Sequence, residues 1–140
     1  MNPIVKNILA VVAGVLVGWA VNMGLIMLGV TVVPPPEGAD VTTPEGFKAA
    51  IPLFTPKNYI FPFLAHAIGT LAGAFATAKI AASNKMPLAL MIGGLFMIGG
   101  IMMVVQLPAP LWFEALDLIM AYFPMGYLGY YLAKGKGDNN

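Results

Sequence analysis

Four long apolar runs dominate this chain of 140 residues. They cover approximately residues 7–33, 59–82, 87–107 and 112–133. An α-helix rises about 1.5 Å per residue, so roughly 20 apolar residues cross a hydrocarbon layer about 30 Å thick. Each run approaches or exceeds that length. We therefore predict an all-α integral membrane protein, folded as a bundle of four transmembrane helices.

The composition leaves no room for a separate soluble domain. Hydrophobic residues make up 59% of the chain and charged residues 9%, whereas about 25% of the residues of a soluble domain are charged. We expect residues 1–140 to form a single membrane domain in contact with membrane lipids. A net charge of +1 without a basic patch argues against nucleic-acid binding.

The sequence offers no motif of known chemistry. The absence of cysteine excludes disulfides, thiolate metal sites and cysteine nucleophiles. The HExxH and GxSxG motifs are also absent, and no glycine-rich loop lies between a strand and a helix. We therefore predict no catalytic residue, no cofactor and no metal ligand, and we do not favour enzyme activity.

The lysines predict the orientation of the four runs. Five lysines fall on one side of a four-pass arrangement: Lys6, Lys79, Lys85, Lys134 and Lys136. The other side carries two lysines against four carboxylates: Lys48, Lys57, Glu37, Asp40, Glu45 and Glu114. Cytoplasmic loops are enriched in basic residues. We expect both termini in the cytoplasm, an outer loop over residues 34–58, and a location in a bacterial inner (plasma) membrane.

The outer loop contains a helix signal of its own. Thr43 is followed by Pro44, which is the pattern of an N-cap residue and a first helical position. Phe47, Ile51 and Phe54 supply apolar contacts. We predict a short interfacial helix over residues 44–50, which either covers the outer end of the bundle or offers a docking surface.

Small residues recur every four positions in the first two runs. Helix association in lipid depends on close backbone approach, which such stripes permit. The predicted packing residues are Gly14, Gly18, Gly69 and Gly73. The same stripes could support a homo-oligomer or a larger membrane complex. In the fourth run, Pro124 lacks an amide hydrogen and is expected to kink the helix.

The polar side chains within the runs concentrate in their outer halves. The candidates for a ligand-binding or proton-binding cluster are Asn22, His66, Thr70, Gln106, Glu114, Asp117 and Tyr122. Polar groups in hydrocarbon are costly, so each is a functional candidate. Each also has a structural alternative, such as a helix-bridging hydrogen bond or, for Glu114, a favourable interaction with a helix start.

Within this cluster, His66 and Asp117 are expected to approach each other. His66 lies about two turns below the outer end of the second run, and Asp117 lies one turn inside the fourth. Leaving either group unpaired in hydrocarbon is unfavourable. We predict a contact between the two side chains, directly or through one water molecule.

Four functions are compatible with these features, and binding of a lipid or quinone without turnover is the least favoured of them. The favoured interpretation is a non-catalytic subunit or partner-binding component of a larger membrane assembly. A small oligomeric transporter or channel that uses His66, Asp117, Glu114 and Asn22 is the first alternative. A membrane enzyme at the same cluster is the second. The sequence names no substrate, partner, oligomeric number or organism.

Overall fold

The computed structural model describes residues 1–135, and none of these residues lies in a strand. Its helices are α1 (Pro3–Val32), α2 (Pro44–Ala50), α3 (Ile60–Ile80), α4 (Lys85–Gln106), α5 (Leu111–Met120) and α6 (Phe123–Lys134). Two short 3-10 turns, Ile51–Leu53 and Pro56–Tyr59, connect α2 to α3. The predicted all-helical fold is confirmed, whereas Lys136 lies outside the described residues.

Three helical segments of the described chain are long and apolar enough to cross a membrane. They are Pro3–Val32, Pro56–Ile80 and Lys85–Gln106, with 30, 25 and 22 residues. α1 starts earlier than predicted because Asn2 caps it: the Asn2 Oδ1 accepts a hydrogen bond from the Ile4 amide at 2.8 Å. These helices are compatible with a membrane location.

The fourth run differs from its prediction. A single kinked helix was expected over residues 112–133, but the run forms α5 and α6, which have 10 and 12 residues. The chain leaves the helical conformation at Tyr122, with φ −114° and ψ −80°. Pro124 has no amide hydrogen for the Met120 carbonyl, and its ring would collide with that carbonyl in a continuous helix. The proline instead begins α6, where a missing donor costs nothing.

The long helices run antiparallel, and α3 occupies the centre, in contact with α1, α4 and α6. The start of α1 lies beside the turn between α3 and α4, since the Asn7 Oδ1 accepts from the Ala82 amide at 2.9 Å. We call this the terminal end of the bundle. The opposite end, which carries α2 and the start of α5, is the lid end.

Glycines allow α1 and α3 to pack backbone against backbone. A Cβ atom built on Gly18 would lie 2.8 Å from the Gly69 carbonyl oxygen, and one built on Gly69 would lie 2.9 Å from the Gly18 oxygen. The Thr77 hydroxyl adds an interhelical bond by donating to the Ala10 carbonyl at 3.2 Å. The small-residue stripes of the two helices therefore face each other inside the chain.

α6 approaches α3 and α4 through small residues as well. A Cβ on Gly129 would lie 2.6 Å from the Leu71 carbonyl oxygen, and one on Gly126 would lie 3.2 Å from the Ala89 oxygen. The buried cluster at this contact consists of Ala74, Ala78, Ala89, Ile92 and Ala133. This packing fixes the depth of the α5–α6 break relative to α3 and α4.

The short helix of the connecting loop forms where the sequence predicts it, over Pro44–Ala50. The Thr43 hydroxyl oxygen accepts from the Gly46 amide at 3.1 Å, so Thr43 is the N-cap. Asp40 braces the cap, because its carboxylate accepts from the Thr42 amide at 2.9 Å and from the Thr42 hydroxyl. Local capping chemistry therefore defines α2.

Candidate functional site

The central contact of the candidate site joins His66 of α3 to Asp117 of α5. The His66 Nδ1 lies 2.9 Å from one Asp117 carboxylate oxygen and 3.0 Å from the other. When Asp117 is ionised its carboxylate only accepts hydrogen bonds, and Nδ1 is then the donor of this contact. Asp117 is only 4% exposed, whereas the His66 side chain is 23% exposed. The approach predicted from the sequence is therefore present in the structure.

Tyr122 completes the network at the break between α5 and α6. Its hydroxyl donates to the Asp117 Oδ2 at 2.9 Å, and its ring stacks on the His66 imidazole with centroids 5.9 Å apart. Gly100 of α4 leaves room for this ring, since a Cβ there would lie 2.7 Å from the Tyr122 Cζ. Asp117 thus receives two donors that satisfy a buried carboxylate.

The network borders a small cavity near the lid end, which we call the lid pocket. Its volume is about 90 Å³. The walls are mainly apolar, and the polar lining residues are Tyr59, His66, Glu114 and Asp117. The His66 Nδ1 forms its hydrogen bond with Asp117, and the Nε2 has no hydrogen-bond partner within residues 1–135. That nitrogen donates when the ring is charged and accepts when it is neutral.

Five aromatic rings contact one another at the lid end, and we call them the aromatic lid: Phe47, Phe54, Tyr59, Trp112 and Phe113. All of them except Trp112 line the pocket. The Phe54 ring contacts Phe47 at 5.7 Å and Tyr59 at 5.9 Å between centroids. Tyr59 in turn contacts Phe113 at 4.6 Å. These edge and tilted contacts link α2 to the starts of α3 and α5. Phe47 is the residue through which α2 joins this group of rings.

Tyr59 carries a buried polar group without a partner. The residue is 6% exposed, and its hydroxyl oxygen forms no hydrogen bond within the described chain. Buried hydroxyl groups are almost always hydrogen-bonded, to protein or to a bound molecule. Tyr59 is one of the residues that line the lid pocket, and its hydroxyl oxygen is itself buried without a partner. Tyr59 is not among the candidates from the sequence, because its burial arises from packing against Phe54 and Phe113.

The other sequence candidates occupy different surroundings. Glu114 lines the lid pocket, but its Oε1 accepts from the Ala109 amide at 2.9 Å and so braces the turn before α5. Asn22 packs beside Gly69 at the α1–α3 contact, away from the network. Thr70 is fully buried, and its hydroxyl lacks a hydrogen bond within residues 1–135. Gln106 is exposed at the end of α4.

The donor set is that of a hydrogen-bonding site. No group of three or more His, Cys, Asp or Glu side chains among residues 1–135 is arranged to hold a metal ion. The candidate site therefore consists of one imidazole, one buried carboxylate and two phenol hydroxyls beside an apolar pocket.

Comparison with known proteins adds no assignment. Neither a protein-family model nor a curated protein nor a solved structure matches this chain.

Proposed function

We propose that this chain is a non-catalytic membrane protein that binds a small, mainly apolar molecule carrying one carbonyl or hydroxyl group in the lid pocket. The observation that carries the proposal is the buried, unpartnered hydroxyl of Tyr59, a residue that lines the lid pocket together with His66. An apolar cavity with a few convergent polar groups is the usual form of a small-molecule site.

The chemistry of the pocket limits the ligand. The Tyr59 hydroxyl donates to a carbonyl or hydroxyl oxygen, and the His66 Nε2 offers either a donor or an acceptor. A volume of about 90 Å³ corresponds to roughly three molecules of liquid water. A larger molecule therefore enters only when the aromatic lid moves. The apolar walls favour an uncharged ligand over a charged one.

Trp112 provides an indirect reporter of occupancy, because its ring contacts Tyr59, which lines the pocket. The chain has two tryptophans. Trp112 belongs to the lid, 5.6 Å from Tyr59 between centroids, whereas Trp19 is 61% exposed on α1. In a Trp19→Phe background, Trp112 fluorescence is recorded while cyclohexanone or methylcyclohexane is added. The ketone should bind about 2- to 12-fold more tightly, as expected for one hydrogen bond worth about 0.5–1.5 kcal/mol.

Two tyrosine variants make this experiment specific. Tyr59→Phe should abolish the preference for the ketone, whereas the control Tyr127→Phe, on an exposed tyrosine of α6, should retain it. The probes partition into detergent to the same extent with every variant, so this background does not affect the comparison between variants. The proposal fails if Trp112 gives no saturable response, or if Tyr59→Phe and the parent protein distinguish the two probes equally.

A second candidate function is passage of a small solute or of protons, and the α5–α6 break favours it. Interrupted helices expose backbone groups at depth and form the sites of several transporter folds. The break is at Tyr122, which bonds to Asp117. Proteoliposomes should then acidify internally under an imposed proton gradient faster with the parent protein than with Asp117→Asn. Rates equal to those of protein-free vesicles would refute this candidate.

For the membrane arrangement, we propose a four-pass topology in which α5 and α6 together form the fourth crossing. The charge pattern supports the orientation. Every described carboxylate near a helix end belongs to the lid end, and the terminal end carries Lys6, Lys79, Lys85 and Lys134. This pattern favours a cytoplasmic terminal end. Assembly with a second copy or another membrane protein is part of the same proposal.

A further inference from the structure

The imidazole ring of His66 has one bonded nitrogen and one free nitrogen. Its Nδ1 lies 2.9 and 3.0 Å from the two Asp117 oxygens, and Tyr122 stacks on the ring. Among residues 1–135, the buried side-chain nitrogen and oxygen atoms without a partner are the hydroxyl oxygens of Tyr59 and Thr70. The unpartnered His66 Nε2 does not belong to that set, so it retains accessible surface. Because His66 lines the lid pocket, Nε2 is the polar atom of the ring that remains for a ligand.

The hydrogen on Nε2 follows from the net charge of the His66–Asp117 pair. A buried pair without net charge avoids much of the cost of burying a lone charge. Such a pair has two forms. In the first, Asp117 is ionised and His66 is an imidazolium ion, with a hydrogen on both nitrogens. In the second, Asp117 is protonated and donates to Nδ1, and the neutral ring then carries its hydrogen on Nε2. Nε2 is therefore a donor in both forms.

The surroundings of the pair favour the form without net charge. The titratable groups around the His66 ring are Asp117 and Glu114 of α5, Tyr122 before α6 and Tyr59 before α3. No lysine of residues 1–135 lines the lid pocket. A pair that lost its shared proton would carry a negative charge near Glu114, without a cation in the pocket to compensate it. Like charges in one site disfavour each other, so the pair keeps its proton.

We propose that His66 determines the specificity of the lid pocket by donating from Nε2, and that the ligand is an uncharged carbonyl compound without a hydrogen-bond donor of its own. This inference rests on the proposed function and narrows its ligand class. The carboxyl groups of Asp117 and Glu114 are already engaged in hydrogen bonds. A ligand hydroxyl would therefore bury its hydrogen without a partner, which is costly. A ligand carboxylate would add a negative charge beside these two residues.

The ring nitrogens can be observed directly, because the chain contains one histidine. Nitrogen-15 spectra of the full chain, labelled at histidine and held in a neutral detergent, should show a protonated Nε2 at neutral pH. Added cyclohexanone should move the Nε2 resonance and saturate together with the Trp112 fluorescence response, whereas methylcyclohexane should leave the resonance in place. An unprotonated Nε2 in the ligand-free protein at neutral pH would overturn the inference. So would an Nε2 resonance that does not respond to bound ketone.

The specificity itself is tested by the ratio of the affinities for cyclohexanone and cyclohexanol, measured by Trp112 fluorescence as the pH is raised. While Nε2 is protonated, the ketone should bind more tightly. Where the spectra show that Nε2 has lost its proton, the nitrogen accepts instead of donating, so the ketone loses a partner and the alcohol gains one. The ratio should then fall about fivefold. Equal affinities while Nε2 is protonated, or a ratio that changes independently of Nε2, would overturn the inference.

Two variants assign the effect to His66. The paired substitution His66→Phe with Asp117→Leu leaves no buried charge unpaired, and its ketone-to-alcohol ratio should not change with pH. Asn22→Leu removes a polar side chain outside the pocket lining and should behave like the parent. A pH dependence that persists in the paired variant would belong to Tyr59 or Glu114 and would overturn the role of His66. If the paired variant does not fold, the nitrogen spectra of the parent decide.

The failure of this inference differs from the failure of the proposed function. A Trp112 response that does not saturate with any probe would refute binding in the lid pocket, and the inference with it. A saturable Trp112 response without a change at Nε2 would refute only the role assigned to His66.

Discussion

Gly14 of α1 and Gly73 of α3 are mutual contacts: a Cβ atom on either residue would lie 2.6 Å from the carbonyl oxygen of the other. Both obstacles are backbone atoms, which cannot rotate away as a side chain can. The two helices therefore keep their separation only while both positions lack a side chain.

Gly73→Ala should accordingly destabilise the fold, by about 1–3 kcal/mol for an overpacked contact. Gly73→Leu should lower the melting temperature further. Gly24→Ala is the matched control in α1, because no atom lies within 4 Å of a Cβ at that position, and alanine is the better helix former. Thermal unfolding of the three proteins in the same detergent checks the prediction. A Gly73→Ala protein as stable as Gly24→Ala would contradict the close contact.

The His66–Asp117 contact should appear as an energetic coupling. His66→Ala and Asp117→Ala are each expected to destabilise the protein, and the double variant should cost less than their sum by roughly 0.5–2 kcal/mol. Unfolding free energies in bicelles provide the measurement. His66 and Glu114 form the control pair, because Glu114 bonds to the Ala109 amide instead; their effects should add. Strict additivity of the His66 and Asp117 effects would exclude the coupling.

The cap of α2 should respond to acid through Asp40. Hydrogen bonds from the Thr42 side chain and backbone hold the pKa of Asp40 below its usual value. A lowered folded-state pKa stabilises the loop above the unfolded-state pKa, and this contribution disappears as the pH falls through the lower value. Hydrogen exchange at the Thr42 amide should therefore accelerate, after correction for intrinsic rates, only in strong acid. Asp40→Ala should remove the dependence, whereas an unchanged profile would rule out the carboxylate as its source.

The orientation can be tested with single cysteines, since the chain has none of its own. Glu37→Cys should react with an impermeant thiol reagent on intact cells, and Ser83→Cys should react only after lysis. Both positions are exposed. Position 37 is preferable to Gly38, whose φ of +80° disfavours any side chain. The reverse labelling pattern would invert the proposed topology.

The features that sequence predicted best are those with local causes. Thr43 and Pro44 define the start of α2 within a few residues, and this helix agrees with its prediction at both ends. The depth of His66 and Asp117 follows from counting residues along helices, which is why their contact could be anticipated. Both inferences need little knowledge of which helices are neighbours.

The features that sequence missed depend on neighbouring helices. Pro124 in an apolar run is compatible with a kink or a break, and the break accompanies the seating of Tyr122 against Gly93 and Gly100 of α4. Tyr59 gains its unpartnered hydroxyl only because Phe54 and Phe113 cover it. Neither arrangement has a periodic signature along the chain, so tertiary packing alone reveals them.

The division of the fourth run also bears on how the chain enters a membrane during synthesis. Helices of 10 and 12 residues are about 15 and 18 Å long, so neither matches a hydrocarbon layer of about 30 Å by itself. In the proposed four-pass topology, this segment lacks the continuous apolar helix that the insertion machinery inserts most readily into lipid. Its stable residence depends on α3 and α4, which the ribosome delivers first and which present the backbone carbonyls that Gly126 and Gly129 of α6 approach. The last crossing would then be acquired by docking onto helices already in the bilayer.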